Sequence, residues 1–135
     1  FFTVGSLDYL RIGGRIGKLA SIATGKLGIK PIILLKNGEL GLGGIGRSRA
    51  KLKKAVLDTV NKHFTDNNLS KDDYNFNVGW GYDKEEGAEF LKDTESTLGV
   101  KCLDELNVDI GMTTAVHTGP YPIGVGIIQK YETLK

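Results

Sequence analysis

Three stretches of this chain alternate a large apolar residue with a glycine or another small or polar residue, and that pattern narrows the folds open to it. Leu40 and Leu42 alternate with Gly41 and Gly43, and Ile123, Val125 and Ile127 alternate with Gly124 and Gly126. Tyr74, Phe76, Val78, Trp80 and Tyr82 alternate with Asn75, Asn77, Gly79 and Gly81. A period of two is the strand period, so each stretch reads as a strand with one side chain-rich face and one nearly bare face. Where bare faces coincide in one sheet, backbone is uncovered over a patch against which a closely packed helix or a slender ligand can lie. Glycine is correspondingly abundant, at 19 of 135 residues, against a usual share of ~7%.

The other elements follow from periodicity and punctuation. Residues 1–4 open the chain as a strand, and Ser6 is placed to cap a short helix over residues 7–11 that breaks at Gly13-Gly14. Arg11 and Arg15 flank the break with forked donors, suited to a carboxylate or phosphate or simply solvated at a helix end. Ile16, Leu19, Ala20, Ala23 and Leu27 fall at helical spacing, with Gly28 as the stop. Residues 29–35 and 39–45 form a hairpin around Asn37-Gly38. Leu52, Ala55, Val56, Thr59, Val60 and His63 define a long amphipathic helix, with His63 at its packed end. Asp83 and Glu86 start another helix, closed by Gly99. Val108, Ile110, Met112 and Val116 recur on an even spacing, which predicts a strand running to His117-Thr118-Gly119-Pro120 and an imidazole at the end of a roomy groove. The expected architecture is one α+β domain: a mixed, largely antiparallel sheet of about five strands with helices packed mainly on one face.

Charge and composition exclude several classes. With 18 basic and 16 acidic residues the net charge is +2, so any basic partner site is local. The candidate is Arg47, Arg49, Lys51, Lys53 and Lys54, crowded at the start of the long helix behind Ser48, where the macrodipole and free amides attract anions. It lacks the interleaved aromatics of a nucleic-acid site. The single cysteine, Cys102, leaves no internal disulfide and no thiolate metal framework, no ligand spacing for a metal or motif for a cofactor is present, and a reducing, cytoplasmic setting is the simplest expectation. Apolar runs such as residues 32–35 are far short of the ~20 residues that span a bilayer. The chain starts at Phe1 and not at methionine, which suggests a fragment.

The stretches Ser6-Leu7-Asp8-Tyr9-Leu10-Arg11-Ile12-Gly13-Gly14-Arg15-Ile16, Ile29-Lys30-Pro31-Ile32, Gly46-Arg47-Ser48-Arg49 and His117-Thr118-Gly119-Pro120, in this order, resemble the bacterial DegV family over nearly the whole chain. The resemblance implies a non-enzymatic fatty-acid carrier, similar to the binding subunit of the bacterial fatty acid kinase, which presents the acyl carboxyl to an ATP-dependent kinase subunit. It implies that this chain corresponds to the C-terminal lobe alone, while an absent N-terminal lobe supplies hydroxyls to the carboxylate. It further implies that His117, with Thr118 and Gly119, meets the carboxylate, that Arg15 and more weakly Arg11 support it, and that Arg47 and Arg49 dock the kinase, with Lys51 of the same basic cluster expected beside them. Tyr121 departs from the family pattern, which usually has a glycine there, and its bulkier side chain is expected to narrow the carboxyl end or to change which ligand fits.

Elementary energetics agree with such a carrier. Burying roughly fourteen methylenes at about 0.8 kcal/mol each gives a gross term near 11 kcal/mol, and the buried carboxylate then demands donors such as His117 and Arg15. Two other readings stay open. One is an interaction module working through the basic helix start; the other is an acyl- or phosphoryl-transfer enzyme with His117 as nucleophile or general base, although the carboxylates form no catalytic pair and no serine or cysteine nucleophile stands out. An isolated lobe with its half of the groove uncovered also offers a surface for a homodimer.

Overall fold

A computed structural model of the chain describes residues 1–23, 30–36, 38–104 and 108–134. The described strands are β1 (Phe2–Thr3), β2 (Lys30–Lys36), β3 (Glu39–Gly46), β4 (Tyr74–Trp80), β5 (Val108–Asp109) and β6 (Ile123–Gln129). They form one six-stranded sheet in the order β3-β2-β1-β6-β4-β5. Every pairing is antiparallel except β4 with β5. The expected class is found: a mixed, largely antiparallel sheet, with its long helices on one face.

Those helices are α3 (Arg49–Asp66) and α4 (Lys84–Leu98). Ser48 caps α3 by accepting the Lys51 amide, and Asp83 caps α4 by accepting the Glu86 amide at 2.9 Å. Gly99 closes α4 in the left-handed region at φ 66°, where a side chain would be strained. The apolar stripe of α3 lies on the sheet through Leu52, Val56, Val60 and Phe64, and α4 contributes Phe90 and Leu98 to the same core, opposite Phe76, Val78, Ile123 and Val125. Close approach of α3 to β3 depends on small residues: a Cβ on Gly46 would lie 2.8 Å from a Leu52 methyl. In β3, therefore, the bare side serves helix packing. The β2–β3 hairpin carries a bulge, with Ile32 opposite Gly44 and Ile33 opposite Leu42. Lys36 pairs with Glu39, leaving a two-residue loop in which Gly38 has φ 78°; Asn37 lies outside the described residues.

The opposite face is covered only in part. Leu42, Ile33, Phe2, Gly124, Gly79 and Val108 form one transverse row on it, each paired with the next. A small cluster of Val4, Leu10, Leu19 and Ile33 closes the β2 end, where α1 (Asp8–Ile12) and a 3-10 turn (Gly17–Leu19) pack and lead into α2 (Ala20–Ala23). The expected helix over residues 16–27 is thus a 3-10 turn and a short helix where it is described; Leu27 and Gly28 lie outside the described residues. Ser6 accepts the Asp8 amide at 3.1 Å, although the residue at the cap position of α1 is Leu7.

One expectation is overturned. Residues 108–117 are not one strand: β5 has two residues and is followed by a helix, α5 (Met112–Thr118), which carries His117 in its last turn. Met112 and Val116 are four apart, a spacing that keeps two residues on one face of a helix as well as of a strand, so the even spacing did not discriminate. The shared face is solvent: Met112 is 85% and Val116 62% exposed. Met112→Ala is accordingly expected to change unfolding free energy by no more than about 0.5 kcal/mol, whereas Leu52→Ala, at 0% exposure, is expected to cost roughly 3 kcal/mol. Urea denaturation followed by circular dichroism checks both.

Candidate ligand-binding groove

Where the transverse row passes from Phe2 to Gly124 and Gly79, no side chain fills the space above the sheet, and a cavity of about 570 Å³ lies there. Its volume falls in the range of small-molecule sites, roughly 300–1,000 Å³. Gly79, Gly124 and Gly126 form the floor, with Phe2 beside them; Leu35, Leu40 and Ile127 line it further along. The glycines are not equivalent. A Cβ on Gly124 would collide with Phe2, and one on Gly126 with the Asn77 amide, whereas the nearest atoms to one on Gly79 belong to Ile110, at an ordinary 3.6 Å. Backbone packing against Phe1 and Phe2 therefore demands glycine at Gly124, a side chain at Gly126 would have to move the Asn77 amide, and Gly79 has room for one.

Helix α5 forms the polar wall. Thr113, Thr114, His117 and Thr118 all line the cavity, at positions i, i+1, i+4 and i+5, which lie on one face of a helix. Thr113 and Thr114 were not singled out from the sequence, and reading Met112 to Thr118 with a helical period would have found them. The Thr118 hydroxyl is committed to the Thr114 carbonyl at 3.1 Å. Gly119 ends α5 with φ 76° and lies under the Tyr9 ring of α1, so its role is to let the two helices meet.

Among the sequence candidates, the structure brings His117, Arg15 and Thr118 together on the cavity. His117 is half-buried, and its Nδ1 is sealed from solvent with no hydrogen-bond partner among the described residues. Arg15 donates to the Gly13 carbonyl at 2.8 Å, which leaves most of its guanidinium donors for another acceptor. Arg11 stands outside the cavity and pairs with Asp8 at 3.2 Å. The Tyr121 ring turns away from the cavity, toward Gly5 and the ring of Tyr82, 6.5 Å distant, so it does not narrow this end. His63 does not line the cavity; its ring lies 5.4 Å from that of Phe1, tilted by 57°, and burial holds its pKa below the usual imidazole value.

The basic cluster divides in two. Arg49 forms a two-pronged pair with Glu86, at 2.8 and 2.6 Å, and donates its remaining arm to the Tyr121 carbonyl at 2.9 Å. Lys53 lies 3.6 Å from Glu86, and Lys54 pairs with Asp58 at 3.3 Å. Arg47 and Lys51 are exposed and form no ion pair among the described residues. No group of three or more His, Cys, Asp or Glu that could hold a metal occurs among the described residues, and burial pushes the Cys102 thiol up to about 11, so it stays protonated near neutral pH. No helix among the described residues is long and apolar enough to cross a membrane.

Comparison with known proteins places this geometry among relatives. The family model described as "Uncharacterised protein, DegV family" matches residues 1–130. A DegV domain-containing protein of Clostridium acetobutylicum is 31% identical over 131 residues, which is 96% of this chain and 44% of that protein. One from Deinococcus radiodurans is 29% identical over 126 residues, covering 93% of this chain and 43% of its own length. Among solved structures, a fatty-acid (stearic acid)-binding protein from Eubacterium ventriosum is 64% identical with a TM-score of 0.93, over 99% of this chain and 45% of that one. A fatty-acid-binding DegV family protein from Thermus thermophilus is 25% identical with a TM-score of 0.75, over 96% of this chain and 44% of that one. The chain thus spans less than half the length of these relatives.

The Arg49–Glu86 pair makes a pH prediction. Hydrogen bonding from Arg49 holds the Glu86 carboxyl below its ordinary value of 4.5. A carboxylate with a depressed folded-state pKa stabilises the fold fully above its unfolded pKa, and that contribution is lost as pH falls through the folded value. Glu86→Gln is therefore expected to lower stability near pH 7 and to flatten the loss of stability between about pH 5 and pH 3, as read from urea midpoints across that range.

Proposed function

The chain belongs to the DegV family, and from that premise we propose that it is the C-terminal lobe of a fatty-acid carrier, holding one long-chain acid with its carboxylate at His117 and its tail along the glycine floor. The observation that carries this reading is the polarity of the cavity: the half-buried His117, with Thr113 and Thr114, lines it from α5 and Arg15 from beyond α1, while Phe2, Leu35 and Leu40 line the cavity elsewhere. Such an arrangement suits an amphiphile with one anionic end. The apolar lining removes the chain from water, and the donors at the other end offset the desolvation of the carboxylate. A relative 64% identical to this chain carries the description of a stearic-acid-binding protein, which is consistent with that ligand class.

In the complete protein a second lobe would cover the open side and add hydroxyl donors. Exposed Arg47 and Lys51 are the side chains available to an acidic surface of a kinase subunit that phosphorylates the presented carboxyl, whereas Arg49 would serve this docking by holding the Tyr121 loop in place. This division of labour makes the lobe a presenter of substrate and leaves the chemistry to its partner.

Native mass spectrometry of the protein as purified, followed by denaturing extraction and lipid analysis, tests the binding reading without a guessed ligand. An adduct of acyl mass near one per chain is expected, lost in His117→Ala and in Gly79→Leu, the latter because a leucine there would occupy the cavity. Absence of any adduct, with no stearate binding on titration, would refute capture by this lobe alone. Docking through Arg47 and Lys51 should weaken steeply with salt, in contrast to acyl capture; a salt-insensitive interaction with an acidic partner would rule it out.

A further inference from the structure

The helices framing the polar end of the groove meet through two reciprocal contacts of a ring on a glycine. Gly13 ends α1 and Gly119 ends α5. A Cβ on Gly119 would lie 2.6 Å from the Tyr9 ring, and a Cβ on Gly13 would overlap Nδ1 of His117 and stand 3.0 Å from its Cε1. The imidazole is therefore seated on Gly13 with Nδ1 inward. Nδ1 is sealed and has no hydrogen-bond partner among the described residues, whereas Nε2 is not sealed, and the residue lines the cavity. An N–H enclosed without an acceptor forfeits the hydrogen bond it made in water, and orphaned N–H groups are rarer in proteins than orphaned acceptors. An unprotonated Nδ1 instead meets the Gly13 Cα–H, a weak but favourable contact.

From this we infer that Gly13 is a positioning residue, which holds His117 as the neutral tautomer protonated on Nε2 and so makes it a hydrogen-bond donor toward the cavity. The site then selects a ligand headgroup that accepts hydrogen bonds, such as a carboxylate, over one that only donates, such as an ammonium. The seating is a property of the ligand-free chain; only the identity of what Nε2 meets rests on the acyl-carboxylate reading. The backbone at Gly13 has φ −75°, open to any residue, so alanine there displaces the imidazole with no penalty from φ, its Cβ standing 3.1 Å from the Tyr9 carbonyl of α1. Gly14, at φ 67° with nothing within 4 Å of its Cβ position, supplies the control: alanine there strains the turn and leaves the ring untouched.

Long-range proton–nitrogen NMR of the protein labelled with nitrogen-15 in histidine, near pH 7.5, reads the tautomer of each ring, with His117→Gln separating the His117 signals from those of His63. The expected result is a protonated Nε2 and an unprotonated Nδ1 for His117 in the ligand-free wild type. Gly13→Ala should shift these signals and weaken stearate binding about 10- to 100-fold, the value of one hydrogen bond to a charged group, while Gly14→Ala lowers thermal stability and leaves the signals in place. Protonation of Nδ1, unchanged His117 signals in Gly13→Ala, or shifted signals with unchanged stearate affinity would each overturn the inference. If the wild type binds no stearate, the acyl reading fails and the tautomer still decides the seating. The wild-type spectrum decides it equally if Gly13→Ala does not fold.

Discussion

The architecture rests on the pairing of Gly79 with Gly124 in the middle of the sheet. A sheet with two apolar faces must cover both. Here α3 and α4 cover one with a continuous core of large side chains, while the other has no side chain at its centre to bury. The hydrophobic driving force that would draw a helix onto that face is missing at this point, since it scales with apolar area and glycine offers little. The short helices α1 and α5 therefore meet each other at its margin, with Leu10, Leu19 and Ile33 forming a small core on the α1 side, and the space over the paired glycines stays open. The groove is a consequence of what the strands omit.

Its polar end is organised around Gly13. The carbonyl of that residue holds Arg15, and its bare Cα receives the His117 ring, so two cationic or donor side chains from different elements converge through one backbone position. Tyr9 on Gly119 repeats the contact in the other direction. The loop beyond His117 is fastened to the long-helix side as well: Arg49, at the start of α3, binds Glu86, near the start of α4, and the Tyr121 carbonyl. Gly81 and Tyr82 add backbone hydrogen bonds to the carbonyls of Pro122 and Pro120. The site thus sits between an open face and a braced one, with its donor anchored to the braced side.

Much of this was legible beforehand. The β2–β3 hairpin, the caps Ser48 and Asp83, the long stripe from Leu52 to Val60 and the αL stop at Gly99 obey local rules, since each depends on side chains a few residues apart. The alternation of glycine with apolar residues also marked the floor of the groove. What failed was the conformation around His117, because Met112 and Val116 satisfy either period and their exposure was unknown. With that element misread, Thr113 and Thr114 were missed, although His117 itself was reached by its motif. Arg49 was grouped with Arg47 and Lys51 because adjacent cations look alike in a sequence; Glu86, 37 residues away, singled it out.

The sequence by itself determined the class of fold, the positions of the long helices, the bare strand faces and the membership in a family, all properties carried by local spacing or by a motif in order. Only the tertiary structure decided that the bare faces of β4 and β6 lie side by side while that of β3 turns to α3, that Arg15 and not Arg11 reaches the cavity, and that the His117 ring rests on Gly13. The reason is physical: strand neighbours, helix approach and side-chain burial depend on contacts between residues distant in the chain, and the same glycine can admit a helix, a ring or a ligand according to what the fold brings against it.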